Sequence, residues 1–294
     1  MHKVSCPTEK VYNETKLSPM ENLCATIKLL HDSGFDAYDL SLCDANQERR
    51  ELFSHENFRE SAHELRRYTD SVGLPCNQSH AFFPSSYGDE RDEDIFQTLV
   101  ENIETAAIVG AEIIVIHPKQ HLCYAEHPRE LFQMNVAFYK KLIPYAETFG
   151  IRIATENMWQ YNVASHVPTD AVCSRAWEFC ELIDAVDSPW LVGCLDLGHA
   201  TLMKANVPDF IRAMGNRLQA LHIHDVSLDK DSHTLPYTMK TDYTPILGAL
   251  KEIGYQGDIT FECHGFLQGF PKELLPSATR LMADIGKYFR TQIQ

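Results

Sequence analysis

Long hydrophobic runs are missing from this sequence of 294 residues. No stretch reaches the roughly eighteen apolar residues that a transmembrane helix requires, so no membrane span is expected. The first residues, MHKVSCP, also lack the apolar segment of a signal peptide, which argues against export by that route. We therefore expect a cytoplasmic protein that has no membrane partner.

Two motifs built on cysteine and glycine are absent as well. The nine cysteines include no C-x-x-C pair, and an odd number without regular spacing is typical of reduced thiols that pack in a core. No G-x-G-x-x-G motif follows the first predicted strand. Nothing in the sequence therefore supports a disulfide framework or dinucleotide binding.

Positive charge is scarce. Lysine and arginine together number 26 against 41 aspartates and glutamates, which gives a formal net charge of −15. Such a chain repels phosphate backbones, so no nucleic-acid partner is expected, although a local basic groove stays open. Histidine, by contrast, is abundant with 14 residues.

A strand-like segment followed by a helix-like segment recurs along the chain, which indicates parallel βαβ units. Strands are predicted at 2–5, 36–42, 75–81, 112–117, 151–156, 190–196, 218–225 and 258–262. Helices are predicted at 19–33, 56–72, 92–109, 128–149, 169–186, 209–214, 242–253 and 272–289. Eight such units predict an α/β fold, a closed (β/α)8 TIM barrel with a single domain over residues 1–294; an open doubly wound sheet is the alternative.

Side chains that can bind metals occupy the carboxyl ends of successive predicted strands. They are His80, His117, Glu156, Asp196 with His199, His222 with His224 and Asp225, and Glu262. In a barrel these strand ends converge on one face. Several buried carboxylates there would be costly without a counter-charge, which a divalent cation supplies. Mixed oxygen and imidazole ligands suit Zn²⁺, Mn²⁺, Fe²⁺ or Co²⁺ better than Ca²⁺.

Each of these residues alone has an ordinary structural explanation. A single histidine at a strand end usually forms a structural hydrogen bond, and a single acidic residue there often caps the next helix. For Glu156, Asp196, His222 and Glu262 together that explanation requires four independent coincidences. It stays open for His80, His224 and His264 taken individually.

The same residues resemble the xylose isomerase-like TIM barrel superfamily. This superfamily includes sugar phosphate isomerases and epimerases, inosose dehydratases and the endonuclease IV-type enzymes of AP endonuclease family 2. The resemblance runs from Phe35-Asp36 to the last helix. The motifs that carry it are Glu156-Asn157, Leu195-Asp196-Leu197-Gly198-His199, His222-Ile223-His224-Asp225 and Phe261-Glu262.

The resemblance implies a divalent metal ion bound by Glu156, Asp196, His222 and Glu262. Zinc or manganese is expected first, with magnesium, iron and cobalt open. Endonuclease IV-like members hold three zinc ions with extra ligands, and candidates for these are His80, His117, His199, Asp231 and His233. The spacing from His222 to Asp231 is shorter than expected for the nuclease. The sequence therefore leaves room for one to three ions.

The implied function is a sugar isomerase or epimerase that moves a proton through an enediolate stabilised by the metal. Glu156 and Glu262 are the expected proton-transfer residues, and His199 could orient a substrate oxygen. Candidates for substrate binding are Trp159, His224 and Lys240. A multi-zinc phosphodiesterase and an inosose dehydratase-like lyase are the alternatives. The expected partner is a small carbohydrate, and a homo-oligomer is left open.

Overall fold

The computed structural model describes residues 1–9, 16–43, 51–54, 57–162, 164–227 and 229–294. Its strands are β1 (Val4–Ser5), β2 (Tyr38–Ser41), β3 (Cys76–His80), β4 (Ile113–Val115), β5 (Arg152–Glu156), β6 (Trp159–Tyr161), β7 (Pro168–Asp170), β8 (Leu191–Asp196), β9 (Leu218–His222), β10 (Asp225–Ser227), β11 (Lys230–Thr234) and β12 (Ile259–Thr260). Its α-helices are α1 (Pro19–Ser33), α2 (Phe58–Val72), α3 (Arg91–Val109), α4 (Pro128–Phe149), α5 (Ala176–Val186), α6 (Leu197–Leu202), α7 (Val207–Met214), α8 (Tyr243–Glu252), α9 (His264–Leu267) and α10 (Leu275–Ile293).

Eight of these strands form a closed ring, and the other four form two hairpins, β6-β7 and β10-β11. Six of them make a parallel sheet in the order β2-β3-β4-β5-β8-β9, and β1 pairs in parallel with β12. Single parallel bridges, Pro7 with Asp39 and Ile223 with Phe261, join these two sheets at both edges. The predicted (β/α)8 barrel is thereby confirmed, because an open sheet would leave two unpaired edges.

Local sequence signals explain where the helices begin and end. Ser18 caps α1: its hydroxyl accepts a hydrogen bond from the Glu21 backbone N–H, while the Glu21 carboxylate accepts one from the Ser18 N–H. Such a cap contributes about 1 kcal/mol. Gly34 ends the helix with φ of 92°, a left-handed conformation that glycine adopts without strain. None of the helices in the described ranges combines the length and apolar character needed to cross a bilayer.

The barrel interior changes from apolar to polar along the strands. Its apolar layer consists of Ile113, Val115, Ala154, Val192, Cys194 and Ala220. Side chains two positions apart share one face of a strand. Glu156 therefore follows Ala154 into the next interior layer, Asp196 follows Cys194, and His222 follows Ala220. The register between β8 and β9 supports this placement, because Asp196 and His222 are paired neighbours in the sheet.

One predicted helix start is wrong. Residues 169–170 belong to β7, which pairs antiparallel with β6, and α5 begins only at Ala176. The Asp170 carboxylate forms a bidentate ion pair with Arg175, at 2.7 and 3.0 Å, and so does not cap a helix.

Several other predicted bounds also differ. Helix α6 was not predicted, β9 ends at His222, and 272–274 form a 3₁₀ turn before α10. The Glu56 start of the second predicted helix lies outside the described residues.

Helix α10 packs so tightly on the barrel that a methyl group at one position should be costly. A Cβ added at Gly286 would overlap Val4 Cγ1 and Phe261 Cε2, whereas one added at Gly248 in α8 meets nothing. We expect Gly286→Ala to destabilise the fold by about 1–3 kcal/mol through overpacking. Gly248→Ala, the control, should be stabilising by roughly 0.5–1 kcal/mol because alanine favours helix. Urea unfolding measures both; equal effects would contradict this packing.

Candidate metal centre

Four side chains meet at the carboxyl ends of neighbouring barrel strands. Glu156, Asp196 and His222 are the last residues of β5, β8 and β9, and Glu262 follows β12. One ligand atom from each lies within 4.8 Å of the corresponding atoms of the other three. The first three side chains are buried, and Glu262 is half-buried. The structure thus brings together all four residues expected to hold a cation.

The His222 ring is the clearest sign that this cluster is built for a ligand. Its Nδ1 atom lies 3.3 Å from Glu156 Oε1, 3.6 Å from Glu262 Oε2 and 4.0 Å from Asp196 Oδ2. Both ring nitrogens are buried and neither forms a hydrogen bond. Buried polar atoms are nearly always satisfied in folded proteins. Three carboxylates and one imidazole are a donor set that fits a divalent transition metal.

The electrostatics of the cluster also call for positive charge. Burial alone would raise the pKa of the Glu156 carboxyl, but the His222 and His117 imidazoles hold it well below its usual value. Burial likewise opposes ionisation of Asp196, and His199 and His224 lower its pKa. The carboxylates therefore remain ionised only with cationic neighbours, a requirement that a divalent ion also meets.

A second group of potential metal ligands, His80 and His117, lies on one side of Glu156. His117 Nε2 lies 3.1 Å from Glu156 Oε2, and His80 Nε2 lies 3.0 Å from His117 Nε2. One ligand atom from each of these three residues lies within 4.8 Å of those of the other two, as in the first cluster. Phe83 stacks on the His117 ring with 5.1 Å between ring centroids and so holds it in place.

A third group lies on the other side, over helix α6. Asp231 Oδ2 is 3.2 Å from both His199 Nε2 and His233 Nε2, and His224 belongs to the same group. Burial would lower the pKa of His233, but Glu262 and Asp231 raise it to about 9. Asp231 and His233 reach this position because β10 and β11 form a hairpin that folds back over the barrel end. The short spacing from His222 to Asp231 is therefore compatible with the cluster.

Asn157 is a supporting residue whose role sequence reasoning missed. Its side chain accepts a hydrogen bond from the Asp196 N–H at 2.7 Å and donates one to the Asp196 carbonyl at 3.0 Å. Its own carbonyl lies 2.9 Å from His199 Nδ1. Asn157 therefore fixes β8 against β5 and orients the His199 ring. The available signal was an amide directly after the glutamate that ends a strand.

A cavity of about 950 Å³ opens above these clusters. Glu156, Glu262 and His199 line it, together with His80, His117, Asp231, His233 and Trp159. The Trp159 indole N–H donates to Asp231 Oδ2 at 3.2 Å. Asp196 and His222 lie behind the wall and do not line the cavity. Glu156 and Glu262 thus face the cavity, while Asp196 and His222 lie behind them, which is the arrangement expected if the glutamates contact substrate and the other two residues act only as ligands.

Two of the expected substrate-binding residues, His224 and Lys240, do not line this cavity. His224 is buried, its Nε2 lies 3.0 Å from Asp196 Oδ2, and its ring stacks on His233 at 4.1 Å. His224 thus orients Asp196 from behind. Lys240 is exposed and does not line the cavity.

Fold and site together define a (β/α)8 barrel with a cluster of potential metal ligands at the carboxyl ends of its strands. The sequence model of the family described as "Xylose isomerase-like TIM barrel" matches residues 27–284, and the chain belongs to that family. The extension of this domain over the whole of 1–294 stays a prediction.

Curated relatives are distant. An uncharacterized protein of Methanocaldococcus jannaschii is 23% identical, with 82% of this chain and 79% of the relative covered. Fructoselysine 3-epimerase of Escherichia coli O157:H7 is 24% identical over 48% of this chain and 49% of that protein.

Solved structures match over nearly the full chain. L-ribulose 3-epimerase matches with a TM-score of 0.74 and 18% identity, covering 100% of this chain and 94% of the other. A D-tagatose 3-epimerase-like protein matches with a TM-score of 0.73 and 18% identity, covering 99% and 100%. D-allulose 3-epimerase from Methylomonas sp., in complex with D-allulose, matches with a TM-score of 0.70 and 18% identity, covering 100% and 97%. At these identities the likeness shows a common fold.

Proposed function

We propose that this protein is a divalent-metal-dependent isomerase or epimerase of a carbohydrate. The observation that carries the proposal is the convergence of Glu156 and Glu262, which line the cavity, on the His222 ring buried behind them, whose two nitrogens form no hydrogen bond. Two of the similar structures are sugar 3-epimerases and a third is described as 3-epimerase-like, which supports the same reaction class.

The proposed mechanism is proton transfer between two carboxylates and a sugar carbon. A divalent ion held by Glu156, Asp196, His222 and Glu262 would supply a Lewis acid that polarises the carbonyl group. Glu156 and Glu262 line the cavity from strands that are three apart in the ring, so their carboxylates can flank a bound sugar. One removes the proton next to the carbonyl, and the other returns it. His199, held by Asn157, orients a substrate oxygen.

The charged side chains that line the cavity favour an uncharged sugar over a phosphorylated one. Of the described residues that line the cavity, none is a lysine or an arginine. A phosphorylated sugar would require such a cation or a backbone cradle near its phosphate. A neutral keto- or aldo-sugar needs only hydrogen-bonding groups, and histidine, glutamine and carboxylate side chains supply them here.

Hydrogen exchange into deuterated water tests this function. The protein, loaded with Mn²⁺ or Zn²⁺, would be incubated with a panel of ketoses and aldoses and followed by NMR. We expect deuterium at the carbon next to the carbonyl in recovered substrate and in an isomeric product. No exchange with any sugar would contradict the proposal. Loss of water without an isomer would favour a dehydratase-like lyase instead.

A multi-metal phosphodiesterase is the second candidate, favoured by the two flanking groups. His80 and His117 share Glu156 with the central cluster, and His199, Asp231 and His233 belong to a second set with His224, in which His233 also adjoins Glu262. These are the residues expected to be additional ligands in a three-zinc site. The described residues that line the cavity include carboxylates but no lysine or arginine, which counts against a DNA substrate because phosphate contacts dominate such binding.

Metal content distinguishes the two candidates. We expect elemental analysis of the purified protein to give about one tightly bound ion per chain, with sugar-dependent exchange and no cleavage of abasic duplex DNA. His233→Ala should leave the central ion bound, since His233 is not one of the four central ligands. About three zinc ions together with DNA cleavage would replace the isomerase proposal with the nuclease.

A further inference from the structure

We propose that the outer half of the cavity is a subsite for a second, uncharged ring, so that the substrate is a glycosylated sugar rather than a free monosaccharide. The inference rests on the proposed function, because the reacting sugar has to occupy the metal centre. It extends that function by assigning the β6–β7 hairpin to recognition of the distal part of the substrate.

The first argument is size. Pockets that enclose a drug-sized ligand measure roughly 300–1,000 Å³, and this cavity, at about 950 Å³, lies near the upper end. A single hexose is smaller than a drug-sized molecule. A monosaccharide bound at Glu156 and Glu262 would therefore leave much of the cavity to water, and a second ring has room to bind beside it.

The second argument is the chemistry of the outer wall. Trp159 and Tyr161 are two positions apart on β6 and so face the same side of the hairpin. Their rings meet edge to face with centroids 4.5 Å apart, and both line the cavity. Trp159 lies next to His199, while Tyr161 lies further out with 49% of its surface exposed. An exposed aromatic face is a suitable surface for the C–H groups of a pyranose.

The third argument is that this wall is rigid. Gln160, between the two aromatic residues, donates from Nε2 to the carbonyls of Gln120 at 3.0 Å and Leu122 at 2.8 Å. Its Oε1 accepts from the Tyr124 N–H at 3.0 Å. The hairpin is thereby tied to the neighbouring loop by three hydrogen bonds. A surface held in this way is preorganised for a ligand and loses little entropy on binding.

The fourth argument is charge. Glu126 lines the same cavity with 75% of its side chain exposed, and no lysine or arginine is present among the described lining residues. An anionic extension such as a phosphate would be repelled. A neutral glycosyl group meets no such repulsion, which is why we assign the subsite to an uncharged ring.

The test compares D-fructose, isomaltulose (a fructose carrying a glucosyl ring on O6) and D-fructose 6-phosphate. Binding to the Mn²⁺-loaded protein would be measured by calorimetry, and turnover by deuterium exchange. We expect isomaltulose to bind about tenfold more tightly than D-fructose, and the phosphate most weakly. Tyr161→Ala should remove the advantage of isomaltulose and leave exchange of D-fructose unchanged. Tyr288→Ala, the control, removes an equally exposed tyrosine, at 50%, from helix α10.

Three outcomes would overturn the subsite. Equal affinity for D-fructose and isomaltulose, with normal exchange of D-fructose, would refute the subsite and leave the proposed function intact. An equal loss for both sugars in Tyr161→Ala would assign the tyrosine to the primary site. Failure of every sugar to bind or exchange would refute the proposed function and the subsite with it.

Discussion

Replacing Glu156 or Glu262 by glutamine should reduce proton exchange at the substrate carbon by at least about a thousandfold. Loss of one general base or acid alone costs roughly 10²–10⁴ in rate, and each glutamate also contributes a ligand atom to the central cluster. Glutamine preserves the shape of the side chain but cannot accept the proton. The measurement is the initial rate of deuterium incorporation into a substrate of the wild-type protein.

The matched control is Glu126→Gln. Glu126 lines the same cavity but is largely exposed and does not belong to the four-residue cluster, so its variant should exchange at nearly the wild-type rate. Melting curves check that all three variants fold. Wild-type exchange in either Glu156→Gln or Glu262→Gln would refute the assigned proton-transfer roles.

Removing the divalent ion should lower the melting temperature by on the order of 10 °C. A ligand present at a thousand times its dissociation constant stabilises the folded state by about 4 kcal/mol, and each kcal/mol corresponds to roughly 2–4 °C in a chain somewhat smaller than this one. The physical cause is the cluster of buried carboxylates, whose mutual repulsion the ion relieves. The measurement is calorimetry of chelator-treated protein before and after Mn²⁺ or Zn²⁺ is restored.

Asp196→Asn separates specific binding from a general salt effect. Asp196 is fully buried and contributes one ligand atom, so the variant should gain much less stability from added metal than the wild type does. Glu112→Gln, on the exposed surface, should respond like the wild type. An equal metal response in all three proteins would show that the ion binds elsewhere.

Much of the barrel could be predicted because its signals are local. Helices α1 and α4 have the predicted bounds, since proline marks their first turn and a left-handed glycine their end. Convergence of Glu156, Asp196 and His222 could be predicted from strand ends alone, because a parallel barrel directs all of them to one face.

The features that the sequence did not predict depend on contacts between segments that are far apart in the chain or on local pairing that overrides a helix signal. Thr169-Asp170 resembles a helix start, but the Asp170 ion pair to Arg175 and the pairing of β7 with β6 override that preference. The burial of His224 behind Asp196 follows from the β10–β11 hairpin, which closes over the barrel end. Lys240 is exposed on the connection that precedes α8, away from the cavity. No sequence spacing encodes these placements.

The most direct measurement is anomalous diffraction at the manganese or zinc absorption edge from crystals of the metal-loaded protein. We predict a strong anomalous peak enclosed by the side chains of Glu156, Asp196, His222 and Glu262, at coordination distance from a donor atom of each. A peak confined to the His199, Asp231 and His233 group, or no peak inside the barrel, would contradict the common cation on which the proposed chemistry depends.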